Sequence, residues 1–137
     1  MLPTDPFHGL SFYTLAHPDR EGFIHQHAVD AYTAQTASEH TKPIGLLYAL
    51  VGLYLTVARG YTGKEVQRAH LQLARNKTDF PPLSLPDDRG AITISDVLDC
   101  PAGEKRDAAI LRWCAAVWAT YDGCHTTVTE YCQRRRV

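Results

Sequence analysis

The chain has no excess of charge of either sign, no apolar run long enough to span a bilayer, and no closely spaced cysteine pair. Its 14 basic and 15 acidic residues give a formal net charge of −1. Such a balance exerts no general pull toward nucleic acid or acidic membranes. The one basic run, Arg134-Arg135-Arg136, falls where a helix should end, and cations there complement the macrodipole. Nucleic acid is therefore not an expected partner. The longest uncharged apolar stretch, IGLLYALVGLYLTVA at 44–58, holds fifteen residues. A spanning helix needs ~20, so no membrane association is expected. The start, MLPTDPFHGL, shows no basic segment leading into an apolar one, so no signal peptide is read and the expected compartment is the cytoplasm. Cys100, Cys114, Cys124 and Cys132 form no CxxC motif, and Cys124 and Cys132 stand about two helical turns apart. That spacing suits neither a disulfide within one helix nor a structural zinc site, and leaves free, buried thiols. Also missing are HExxH, HxxxH, GxSxG, a Walker loop and GxGxxG, so no reaction is named by motif and the enzyme question stays open.

What is present is ordinary globular composition, 45% apolar and 21% charged, over a length that suits one domain spanning residues 1–137. Residues 1–17, punctuated by Pro3, Pro6 and Gly9, are expected to be irregular. A first helix should begin near Pro18 to Glu21 and run to about Ser38. Pro43 opens a second, apolar nearly all round, that stops at Gly60; such a helix is central or buried by a partner. Thr62-Gly63-Lys64-Glu65 is a capping box for a third, which should end near Asn76, with Val66, Ala69 and Leu73 inward and Leu71 as a further candidate for that face. Residues 77–94 hold Pro81, Pro82, Pro86 and Gly90 and form a long loop, with a short extended piece at Ala91–Ile94 and then a turn capped by Ser95. Pro101 and Glu104 open the last helix. Its stripe of Ile110, Cys114, Val117, Trp118, Tyr121, His125, Val128 and Cys132 predicts one helix continuing past Gly123, with a possible kink. The expected fold is all-α, an antiparallel four-helix bundle with a long Pro-rich loop before the last helix.

Seven histidines are the main candidates for chemistry. His25 shares a helical face with Val29 and Tyr32 and is read as inward, whereas Gln26, His27 and Asp30 form the expected polar edge. His125 lies on the apolar stripe and needs a partner from another helix, with His25, Tyr32 or His70 as candidates. If His25, His70 and His125 converge, they offer three imidazoles for a divalent metal between helices. The alternatives are structural hydrogen bonding and a small-molecule pocket. Trp113, Trp118, Tyr48, Tyr54 and Tyr61 read as core at helical spacing.

FIHQHAVDAYTAQ, IGLLYALVGLYL, ARGYTGKEVQRAHLQLA, KTDFPPL, RGAITISDVL and RWCAAVWATYDGCHTTV, in that order, resemble an uncharacterised bacterial family known only as a domain of unknown function. The likeness spans roughly residues 23 to 128. It implies a small stand-alone cytosolic protein, supplies no reaction, and marks His25, Asp30, Tyr32, Arg89, Trp118 and His125 as matching positions. Two readings follow. In one, a metal or small molecule binds between His25 and His125, with Asp30 and Tyr32 orienting them and Arg89 approaching an anionic group from the loop. In the other, the protein is a non-enzymatic homodimer that buries Leu46, Leu47, Leu50, Leu53 and Tyr54 of the second helix, and the histidines are structural.

Overall fold

A computed structural model describes residues 5–16, 21–76 and 80–137. The chain is all-helical, and no strand occurs among these residues. Instead of four helices they form seven: α1 (Pro6–Leu15), α2 (Ile24–Gln35), α3 (Pro43–Arg59), α4 (Gly63–Ala74), α5 (Ile94–Asp99), α6 (Glu104–Thr120) and α7 (His125–Arg135). A single 3₁₀ turn, Asp122–Cys124, separates α6 from α7.

The first correction concerns the segment expected to be irregular, which forms α1. Pro6 is not a breaker there but a first-turn proline, and the Asp5 carboxylate accepts from the Phe7 amide at 2.9 Å to cap the helix. Only Leu10 and Thr14 of α1 are fully buried, too few to write a clear apolar stripe. The expected start of the next helix at Pro18 lies outside the described residues, and α2 is assigned only from Ile24. Phe23 precedes it with φ of 42°, a left-handed entry, and the Gly63 amide donates to the Gly22 carbonyl at 2.6 Å. That contact seats the start of α4 on the approach to α2.

α3 and α4 follow the sequence closely. α3 runs from Pro43 to Arg59 and is closed by Gly60 at φ 68°, and both halves of the Thr62/Glu65 capping box are made. α2 and α3 pack on each other, and α6 packs on both. α1 and α4 cover α2, α4 and α7 cover α3, and α5 joins α1 to α6. Leu46, Leu47, Leu50 and Leu53 are consumed in this core. The apolar helix is thus buried by its own chain, and these leucines are not available as a homodimer face.

Two ends differ from expectation. Thr93 rather than Ser95 caps α5, in a second capping box with Asp96, so the expected extended piece ends as the cap and first residue of a helix. The last helix is not continuous: it stops at Thr120, turns through Asp122–Cys124, and restarts at His125. A single glycine costs a helix only ~1 kcal/mol. Here tertiary contacts favour the break, since the Tyr121 hydroxyl donates to the Ala34 carbonyl at 2.6 Å and the Cys124 thiol to the Ser84 carbonyl at 3.4 Å. All four cysteines are free thiols; Cys114, Cys124 and Cys132 are buried and Cys100 partly so. No helix of the described residues is long and apolar enough to cross a membrane.

Candidate functional site

Among the described residues the fold hides three polar side chains: Thr14 on α1 and, on α2, His27 and Asp30, which were expected at its edge. His27 is 5% exposed and Asp30 3%, whereas His25 is only partly buried. The face turned to the core consists of Ala28, Ala31 and Ala34, with no large side chain to announce it. The larger Val29 and Tyr32, which set the expected phase, are only half-buried. Small residues win because α2 is packed by α1, α3, α4 and α6 at once, and close approach demands them.

Asp30 is wholly enclosed. Its Oδ1 accepts from Gln26 Nε2 at 3.1 Å, and Oδ2 has no hydrogen-bond partner. The carboxyl group packs against the backbone of Gly52 on α3, filling the space a side chain there would need. Burial, only partly opposed by Gln26, pushes its pKa well above the ordinary value and so favours the neutral acid. His27 Nδ1 lies 3.0 Å from the Thr56 hydroxyl of α3, and the His27 carbonyl accepts from the Cys114 thiol of α6 at 3.4 Å. Burial lowers the imidazole pKa to about 4, so it too is neutral near pH 7. Asp30 bonds Gln26 and not His27, so it does not orient an imidazole. Burial also pushes the Cys114 thiol up, which leaves it unreactive. The cluster sets a buried carboxyl, a neutral imidazole and a thiol between three helices, an arrangement that ties those helices together.

The three histidines expected to converge do not. His25 Nδ1 lies 2.9 Å from the Thr14 hydroxyl of α1, and burial lowers its pKa. His70 Nε2 donates to the Tyr48 carbonyl of α3 at 2.8 Å, with the rings stacked at 5.3 Å and burial again lowering the pKa. His125 Nε2 donates to the Trp118 carbonyl at 2.8 Å, and its ring stacks on the Trp118 indole at 3.9 Å. Seven residues along an unbroken helix rise ~10 Å, so this stack exists only because the chain turns at Gly123. Each imidazole thus has a partner of its own on a different helix. Among the described residues no group of three or more His, Cys, Asp or Glu side chains is placed to hold a metal ion. Tyr32 offers the histidines no bond and stacks on Phe7 of α1 at 4.4 Å.

Arg89 does not approach a ligand from outside. Its Nη1 donates to the carbonyls of Ala34 and Gln35 at 3.3 and 3.2 Å, and its Nε to the Pro86 carbonyl at 2.8 Å. It caps the C-terminus of α2, where the macrodipole favours a cation. Gln35, which sequence reasoning passed over, completes the clasp: its amide nitrogen donates to the Arg89 and Ile92 carbonyls and its oxygen accepts from the buried Trp113 indole. Arg89→Ala is expected to cost on the order of 2 kcal/mol, since it removes charge-assisted bonds to carbonyls that stay half-buried. A urea melt measures the loss, and limited proteolysis should then cut within the loop before α5; an unchanged melt would discard the clasp.

The outer surface of α1 is unusual in another way. Phe12 is 80% exposed and Leu15 63%. Beside them, between α1 and the start of α6, lies a groove of about 670 Å³ lined by Gly9, Phe12, Tyr13, Arg106 and Asp107. The Arg106 guanidinium covers the Tyr13 ring at 4.7 Å, and the Tyr13 hydroxyl donates to Asp107 at 2.6 Å while accepting from the Gly103 amide at 2.9 Å. These contacts fix the groove floor and leave the Phe12 ring standing in solvent.

The chain belongs to DUF5946, a family of unknown function whose pattern matches residues 4–122. The match begins earlier than the sequence resemblance suggested and takes in α1. Neither a curated protein nor a solved structure matches the chain.

Proposed function

We propose that this member of the family is a non-enzymatic interaction module that pairs with a second copy of itself through α1 and the first turns of α6. The observation carrying this reading is the exposed Phe12 ring beside an apolar groove on the same face. Exposed aromatic side chains grouped around a groove mark association sites, whereas scattered ones need no explanation. A knob and its groove on one surface suit a two-fold interface, in which each copy gives and receives the same ring. The rim supports a second copy over an unrelated partner. Arg106 stands between Glu104 and Asp107, so a two-fold-related rim brings opposite charges together. The histidines and Asp30 then have structural work only, since each is engaged within the chain's own helices.

Sedimentation velocity across a micromolar-to-submillimolar series tests the pairing. The parent is expected to shift from monomer to dimer. Phe12→Ser should remain monomeric at the highest concentration with an unchanged thermal melt, because an exposed ring contributes little to the monomer. A parent that stays monomeric throughout, or a variant that still dimerises, rejects the proposed face. Stoichiometric metal in the purified protein would instead overturn the structural assignment of the histidines.

A further inference from the structure

The end of α3, one face of α4 and the residues that follow α7 line a cleft of about 500 Å³. Three guanidinium groups line it, from Arg59, Arg68 and Arg136, against a single acidic side chain, Glu65. In a chain of net charge −1 this is a local concentration of positive charge, and a concave site focuses it. Glu65 is partly spent already. Its Oε1 accepts from the Thr62 amide in the capping box, at the positive end of α4.

The arginines are held in three different ways. Arg59 lies over the Tyr61 ring at 5.2 Å, and its Nη1 donates to the Val137 main-chain oxygen at 3.0 Å, so an oxygen acceptor already sits on this side of the cleft. Arg68 makes only a long, exposed contact of 3.6 Å with Glu21. Arg136 has φ of 58°, the left-handed position after a helix where glycine is the ordinary residue. Gln72 of α4 fixes this last turn by donating to the Arg135 and Arg136 carbonyls at 3.4 and 3.3 Å. An arginine kept in a strained conformation at the mouth of a basic cleft is a stronger sign of use than an arginine on an open helix face.

We propose that this cleft binds the phosphate group of a small phosphorylated molecule. Arg59 already donates to the Val137 main-chain oxygen, which leaves Arg68 and Arg136 to meet the roughly −1.5 to −2 charge of a phosphomonoester near neutral pH. Guanidinium forks suit phosphate oxygens bidentately, and several can share one group. A carboxylate, with a single charge, satisfies the cleft less well.

Titration calorimetry of the full chain with inorganic phosphate, at constant ionic strength set by chloride, tests the site. One saturable event is expected, with acetate at least about tenfold weaker. Arg68→Gln and Arg136→Gln should each weaken phosphate about tenfold, and neither should shift the thermal melt, because neither side chain is buried. Arg68→Gln alone is sufficient should Arg136→Gln disturb the last turn. No saturation, affinity unchanged in Arg68→Gln, or acetate binding as tightly as phosphate would each overturn the proposal. Since Arg68 lies outside the α1 face, loss of phosphate binding with dimerisation intact separates this result from the pairing through Phe12.

Discussion

Gly52→Ala is expected to destabilise the protein by on the order of 3 kcal/mol, although alanine is the better helix former by about 1 kcal/mol. Position 52 lies in the middle of α3, and a methyl group there would enter the volume held by the Asp30 carboxyl and come to 3.2 Å from Val66 Cγ1. The carboxyl cannot swing away, because it is enclosed on all sides and tethered to Gln26. Overpacking therefore outweighs propensity. The matching change is Asp30→Ala, which vacates that volume. Combined, the two substitutions trade a carboxyl on one helix for a methyl on the other, and should recover about 2 kcal/mol relative to the sum of the single losses. Urea denaturation of the two single variants and the double variant measures this coupling. If Gly52→Ala matches or exceeds the parent, the carboxyl is not where it is described.

The same carboxyl should set how stability changes with pH, together with His27. In the unfolded chain Asp30 loses its proton around the ordinary 3.8, but the folded protein retains it. Its contribution is therefore full in acid and lost as pH rises from 3.8 toward the raised folded value. His27 behaves oppositely in origin: the unfolded chain takes up a proton near 6.5, the folded one only near 4. Stability from that side is lost as pH falls from 6.5 to 4. Between those limits the two slopes cancel for as long as the folded Asp30 keeps its proton, because folded and unfolded chains then hold the same number of protons on the pair. Above 6.5 only the Asp30 slope survives, and it removes about 1.4 kcal/mol per pH unit until the acid ionises. Asp30→Asn should abolish this alkaline decline and leave a rise of on the order of 3 kcal/mol from pH 4 to 6.5, the His27 contribution alone. Thermal or urea melts of parent and variant from pH 4 to 9 give the difference curve. A difference that does not grow above pH 6.5 would mean that Asp30 is already ionised in the fold.

Much of the architecture could be read from the chain because its signals were local. Pro43, Gly60 and the Thr62/Glu65 box set the limits of α3 and α4 through backbone geometry that needs no tertiary partner. The stripe from Ile110 to Trp118 was legible for the same reason, since Ile110, Trp113, Cys114 and Val117 all point into the core. What failed was non-local. The buried face of α2 is alanine, so hydrophobic weight placed its polar residues outside, when the glycine opposite Asp30 was the only trace of close packing. The break after Thr120 depends on the reach of Tyr121 to α2, and the role of Arg89 on carbonyls over fifty residues away. Neither leaves a mark on its neighbours in sequence. The residues marked by family likeness make separate contacts between elements: His25 with Thr14, Tyr32 with Phe7, Arg89 with the end of α2, and His125 with Trp118.

The turn at Asp122–Cys124 divides the chain into two unequal parts. The family pattern ends at residue 122, where α6 gives way to that turn. α1 to α6 fall within it, with Phe12, Asp30, Gly52 and Arg89, whereas α7 and Arg136 lie past it. The matched stretch therefore takes in the α1 groove and the buried Asp30, whereas Arg136, on the third wall of the arginine cleft, lies beyond it.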